Sequence, residues 1–347
     1  MKEYLIRVFH VQNFCTWIYA VFFITIITAC NKDRNIVKTF PIEKELYGEH
    51  VNILDSVNKP FAVYWNAGNL FLSTKGKNHL VIYNEKENKV SYALRKGHGH
   101  DEWIAPMITT QQINVNNHNQ TFVLERANSK LYVVNLEDSI SSRYCIQDFR
   151  EIKIPGIRSV FLLSDKSYWG VKDDATCDMF NFNVKSKELI EEKIGIDHSL
   201  FSPNSPSLSQ NMATYSPQSK KIAIAYYTFP LLFIKEENTY SAQIQIQIGE
   251  SFPLYNTDNT INPHFYILDM CSSDKYIYVL YDDPSIENKT AILVFDWNGM
   301  PIARYQTNRM TAFTVDEKNS RFIALNEDDT KGVCYIYRFD NERWTMN

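Results

Sequence analysis

The chain has 347 residues, of which 44% are hydrophobic, 14% aromatic and 22% charged, with a formal net charge of −4. That apolar share supports a large core and excludes intrinsic disorder; the mild negative charge excludes a general nucleic-acid binder, which needs clustered Lys and Arg. Tyr and Phe number 21 each against 11 Gly, which points to a strand-rich protein whose turns are built from polar residues.

The chain opens with Lys2 and Arg7, continues through a charge-free run from Phe14 to Ala29, and reaches Ile27-Thr28-Ala29-Cys30. A basic start, an apolar stretch and small residues before a cut are the order of a secretory signal. The run is shorter than the roughly twenty apolar residues a membrane span needs. Residues 1–29 therefore read as a leader, 30–35 as a tether and 36–347 as a single domain. Cys15 belongs to the leader. Cys145, Cys177, Cys271 and Cys334 remain, an even number that permits disulfides in an exported protein. Cys271 and Cys334 sit in apolar, strand-like surroundings where buried thiols are equally expected. No C-x-x-C pair supports zinc or thioredoxin-type chemistry.

Six segments then share one plan of strand, polar turn and strand, beginning at Phe61, Ile113, Ser159, Ala213, Ile267 and Phe313. The second strand of each begins nine positions on, at Leu70, Phe122, Tyr168, Ile222, Tyr276 and Phe322, so the unit recurs about every 50 residues. Asn66-Ala67-Gly68-Asn69, Ser164-Asp165-Lys166 and Asp316-Glu317-Lys318-Asn319 are examples of the turn slot, filled by residues that tolerate or preset turn dihedrals. Third strands follow from Leu80, Leu131, Met179, Leu231, Ala291 and Cys334, and fourth strands are visible from Val90, Ala242 and Pro301. Asn298-Gly299 is the strongest hairpin signal in the chain. The expectation is an all-β fold, a six-bladed β-propeller of four-stranded antiparallel blades. A pair of β-sandwiches explains the strands but not the equal offsets. Residues 36–42 are expected to supply the outer strand of the last blade and close the ring, because the tail from Glu342 to Asn347 is short for that role.

The sequence Ile27-Thr28-Ala29-Cys30 resembles the lipobox of bacterial lipoproteins, in which the cysteine thiol is diacylated. Together with the six-unit spacing and the stretch Arg95–Trp103, the chain resembles the six-bladed propeller lipoproteins of Bacteroidetes, in particular their TolB-like members. Gly97, Gly99, Glu102 and Trp103 match the G-x-G-P-x-E-F pattern of that family, whereas His100 stands where the family has proline; Tyr226-Tyr227-Thr228-Phe229-Pro230 resembles its fourth blade. The resemblance implies a lipid anchor at Cys30, sufficient for stable attachment with two acyl chains, and a place on the outer membrane or the periplasmic face of the envelope.

Propeller geometry puts the turns between strands one and two on one face and the remaining loops on the other, around the channel mouth. On that second face the sequence places His98, His100, Asp101 and Glu102 from a blade link. Loops between strands two and three add Arg126, Asp173, Asp174, Asp282, Asp283, Asp328 and Asp329. The histidines and carboxylates of 98–102 are metal-capable but equally a plain turn in which Glu102 ties back to a backbone amide. The Asp pairs suit a structural calcium ion, solvated loop tips, or an acid–base pair. No cofactor beyond that calcium is expected, and no nucleophile elbow, H-E-x-x-H or phosphate loop occurs. Two functions follow. The first is a lipid-anchored, non-enzymatic and monomeric propeller that binds a protein or glycan partner at the cell envelope. The second is a propeller enzyme, a glycoside hydrolase or lyase acting on extracellular polysaccharide.

Overall fold

A computed structural model describes residues 35–66, 68–99, 102–115, 118–135, 143–151, 154, 156–172, 179–192, 210–250, 253, 263–326, 333–340 and 344. The leader, Cys30, His100, Asp101, Asp173, Asp174, Cys177, Asp328 and Asp329 lie outside them.

The chain forms a six-bladed β-propeller. Blade 1 consists of Pro60–Asn66, Asn69–Thr74, Asn78–Asn84 and Lys89–Arg95, and blade 2 of Pro106–Val115, His118–Glu125, Lys130–Asn135 and Arg143–Asp148. Blade 3 is Ile157–Leu162, Tyr168–Lys172, Met179–Asn183 and Glu188–Glu192; blade 4 is Asn211–Ser216, Lys221–Tyr226, Leu231–Glu236 and Ile244–Ile248. Blade 5 is Ile267–Ser272, Tyr276–Tyr281, Lys289–Asp296 and Pro301–Asn308, and blade 6 contributes Met310–Asp316, Arg321–Asn326 and Val333–Arg338. Within each blade, consecutive strands pair antiparallel.

The core is six apolar layers, one between each pair of neighbouring blades, and the period of two along the second strands decides which layer a side chain enters. On blade 5, Ile277, Val279 and Tyr281 face blade 4, while Tyr278 and Leu280 face blade 6. On blade 6, Phe322 and Ala324 face blade 5, whereas Ile323 and Leu325 face blade 1. Both faces are buried, which is why these strands read as unbroken apolar runs. The turns behave as the glycine-poor composition predicts. Among the described residues nine non-glycine positions take positive φ against four glycines, so Asn, Ser and Lys do most of this work. Gly299 is one place where only glycine fits: φ is +81°, and a Cβ there would meet Ile244 Cγ2 of blade 4 at 2.8 Å.

Ring closure differs from the expectation. The fourth strand of blade 6 is Gly48–His50, antiparallel to Val333–Arg338, with Tyr337 opposite Gly48. The residues expected there sit one or two blades away: Asn35–Val37 lies on the outer edge of blade 4, and Ile42–Glu45 runs parallel to the outer strand of blade 5. The N-terminal segment thus passes along the outer edges of blades 4, 5 and 6 in turn before entering blade 1. Hydrophobicity favoured Ile36–Ile42, but an outer edge strand is selected by backbone pairing and by room, and Gly48 supplies the room beneath Tyr337. Blade 2 also differs. Its first strand begins at Pro106 and its hairpin closes tightly, with Val115 opposite His118, so the Asn-rich stretch is partly strand.

Candidate functional site

The described residues of the link from blade 1 to blade 2 are tied to one another and to blade 2. Glu102 accepts a hydrogen bond from the Gly99 amide at 2.8 Å and pairs with Arg95 at 3.3 Å. The Gly97 amide donates to the Trp103 carbonyl at 3.0 Å, and Trp103 is buried edge-on to Tyr132. A Cβ on Gly97 would lie 1.9 Å from Glu102 Oε2, so glycine there makes room for the carboxylate. His98 is exposed. Arg126 is exposed beside the same link, its amide bonded to the Ala105 carbonyl at 3.1 Å. Sequence reasoning missed the residue that holds this corner. Glu125 is buried and accepts from the Ile104 and Ala105 amides at 3.0 and 2.7 Å.

Asp282 and Asp283 are each paired with an arginine, so of the readings the sequence left open the solvated loop tip does not hold for this pair. Asp282 is buried and accepts from Arg309 at 3.0 Å; Asp283 faces Arg304 at 3.4 Å and accepts from the Ser285 hydroxyl at 2.6 Å. Burial pushes the Asp283 carboxyl up, but the Ser285 hydrogen bonds and Arg304 together hold it below the ordinary carboxylate range. The arginines lie more than twenty residues on in the chain, beyond the reach of local motif reading. Among the described residues no three His, Cys, Asp or Glu side chains come close enough to hold a metal ion. Cys145 is an exposed thiol, and Cys271 and Cys334 are buried free thiols; burial pushes Cys334 up to about 12.

The concave feature lies elsewhere. A cavity of about 580 Å³ occupies the central channel and opens among the turns between strands one and two, the face opposite the one the sequence favoured. Its mouth carries Asp274, Lys275 and Glu317, and its walls are the inner strands of blades 1, 2, 4, 5 and 6. These strands are stapled to one another by side chains. The Thr214 and Ser272 hydroxyls meet at 2.6 Å between blades 4 and 5, and Asp269 of blade 5 accepts from the Phe313 amide of blade 6 at 2.9 Å. Thr314 of blade 6 accepts from the Trp65 amide of blade 1 at 3.1 Å.

Asp269 is the distinctive group. Its second oxygen accepts from the Met270 amide at 2.8 Å. Desolvation deep in the channel outweighs both amide bonds and raises its carboxyl to about 6. Desolvation, with the Asp269 charge beside it, also raises Tyr64 across the channel. The other acidic groups near the mouth have structural partners. Asp316 is buried against Arg321 at 2.9 Å. Glu317 accepts from the Ser273 hydroxyl at 2.5 Å and from the Tyr278 hydroxyl. No pattern marks Asp269 in the sequence; it stands at an alternation position of an inner strand, and only ring geometry makes that position channel-lining.

No protein-family model matches the chain, and no curated protein matches it in sequence. Solved structures share its architecture. A Bacteroides fragilis protein described as exported aligns at 12% identity and TM-score 0.53, covering 88% of this chain and all of the other. A luciferin-regenerating enzyme aligns at 11% identity and TM-score 0.51, covering 85% and 95%. A Bacteroides vulgatus member of the DUF4221 family aligns at 9% identity and TM-score 0.50, covering 85% and 98%. At such identities the likeness is one of fold, and the fold hosts enzymes and other proteins alike.

Proposed function

We propose that the protein is a binding module of the bacterial cell envelope, anchored through lipid on Cys30, that receives a protein or glycan partner at its central channel. The observation that carries this reading is the open cavity in the central channel, with Asp269 on its wall. Asp316 is held by Arg321 and Glu317 by two hydroxyls, so neither is free to join Asp269 in the acid–base pair of a glycoside hydrolase; Asp274, exposed at the mouth, is the remaining carboxylate of the lining. The shared architecture with an exported Bacteroides protein supports an envelope setting, as does the lipobox-like Ile27–Cys30.

Two measurements test the reading. Acyl labelling is expected on the wild-type protein and lost in Cys30→Ser, with release from the membrane fraction. Partner binding, screened against envelope glycans and envelope proteins, is expected to fall at least tenfold in Ser272→Trp, which fills the channel, and to survive in Asp283→Asn on the opposite face. Release of sugar fragments from a polysaccharide in an Asp269-dependent manner would overturn the reading in favour of catalysis.

A further inference from the structure

Asp269 is a half-buried carboxylate on the cavity wall whose surroundings supply backbone amides but no cation. Of the arginines that flank the cavity's lining in sequence, Arg321 is committed to Asp316 and Glu85 and Arg309 to Asp282. The groups acting electrostatically with Asp269 are Tyr64 on the inner strand of blade 1 and Cys271 on its own strand, both raised by desolvation and neutral at physiological pH. Blade 6 offers it only the Phe313 amide. Toward the mouth the charges are Asp274, Lys275, Asp316 and Glu317, an excess of acid over base. Of the aromatic residues along the same cavity, Phe71, Tyr215 and Phe313 are buried in the layers between blades, and Tyr64 is partly exposed.

A carboxylate without a counter-charge, with the Tyr64 ring near it, attracts positive charge in two ways. A ligand cation restores the pairing that burial removed, and ring faces favour a cation once water is displaced. An anion meets repulsion at the mouth and again at the wall. A bare divalent metal would need further ligands, and no third carboxylate, His or Cys joins the group among the described residues.

We propose that the channel cavity seats an organic cation, an ammonium-bearing group of the partner, with Asp269 as its counter-ion and Tyr64 beside it. This rests on the channel being the binding site, as proposed above, and adds the chemical class that it selects.

The test is calorimetric titration of the purified protein with choline, with its uncharged isostere 3,3-dimethylbutanol, and with glucose, at pH 7.5 and 5.0. Choline keeps its charge at both values, so any pH effect belongs to the protein. Choline is expected to bind at least tenfold more tightly than the isostere at pH 7.5. Its affinity is expected to fall about tenfold at pH 5.0, because a carboxyl titrating at about 6 is mostly protonated there. Asp269→Asn, checked for native circular dichroism, is expected to abolish the preference for choline. Equal binding of choline and its isostere overturns the proposal, as does glucose binding alone or no binding by any probe. In those three cases loss of the partner in Ser272→Trp leaves the channel reading standing. Asp269-dependent choline binding with partner binding intact in Ser272→Trp separates the two the other way, supporting the cation seat and removing the partner from the channel.

Discussion

Arg321 of the last blade holds Glu85 of the first through two parallel bonds, Nη1 to Oε1 at 2.5 Å and Nη2 to Oε2 at 2.6 Å. Its Nε donates to Asp316 at 2.9 Å, and its guanidinium lies 4.7 Å above the Trp65 ring. One planar fork therefore joins the two ends of the ring of blades. The same position on blade 4, the first residue of the second strand, is Lys221. It reaches the third-to-fourth-strand turn of blade 5, donating to the Trp297 carbonyl and to Asn298 Oδ1, each at 3.0 Å.

Arg321→Ala is expected to destabilise by about 3 kcal/mol, chiefly because it strips the buried Asp316 of its cation. Arg321→Lys recovers only part, since a point charge cannot serve Glu85 and Asp316 together. The Arg321 hydrogen bonds hold the Glu85 carboxyl below its ordinary range. A depressed carboxylate stabilises the fold above its unfolded pKa and stops doing so as pH falls through its folded value. Urea midpoints taken downward from about pH 5 should therefore drop less steeply in Arg321→Ala than in the wild type.

Asp269 has the opposite sign. Its carboxyl titrates at about 6 in the fold against about 3.9 in an unfolded chain, so between those values the folded state binds more protons. Its contribution to stability is fully present below the unfolded pKa, is lost as pH rises to about 6, and stays flat beyond. Asp269→Asn should flatten that slope in urea titrations from pH 4 to 7. An unchanged slope would assign the titration to another group.

Gly48 lies under a ring that cannot retreat. A Cβ added there meets Tyr337 Cζ at 2.7 Å and Cε1 at 2.9 Å, and Tyr337 is fully buried. Gly48→Ala is expected to lose about 1–3 kcal/mol. It should also expose the segment 35–50 to limited proteolysis before the blades themselves are cut.

Trp344 is buried in the layer between blades 5 and 6. It stacks on Phe339 with centroids 5.0 Å apart and donates from its indole nitrogen to the Tyr305 hydroxyl at 3.0 Å. Trp344→Ala should cost about 3 kcal/mol, and Trp344→Phe about 1 kcal/mol for the lost hydrogen bond. Thermal melts of the two variants check the difference.

The second and third strands were legible because burial on two faces demands long apolar runs. Leu70, Tyr168, Ile222, Tyr276 and Phe322 fall where the nine-residue offset puts them. The outer strands were not. Arg143–Asp148 and Glu188–Glu192 are half polar because one edge meets solvent, and Gly48–His50 carries no apolar residue at all. The link at Gly97–Trp103 was readable as a turn tied by Glu102, since a carboxylate three residues beyond a glycine amide closes locally.

The order of residues along this chain determined the number of blades, their spacing and the polar chemistry of their turns, because each is a property of a window of a few dozen residues. Tertiary structure alone decided three further things. It placed the first described residues on the edges of blades 4, 5 and 6, gave Asp282 and Asp283 their arginines, and gathered Asp269, Tyr64 and Phe313 around one channel. These depend on contacts across as many as 250 residues of chain, such as Thr314 with Trp65 at a separation of 249. No local pattern encodes them, because their partners become neighbours only once the ring has closed.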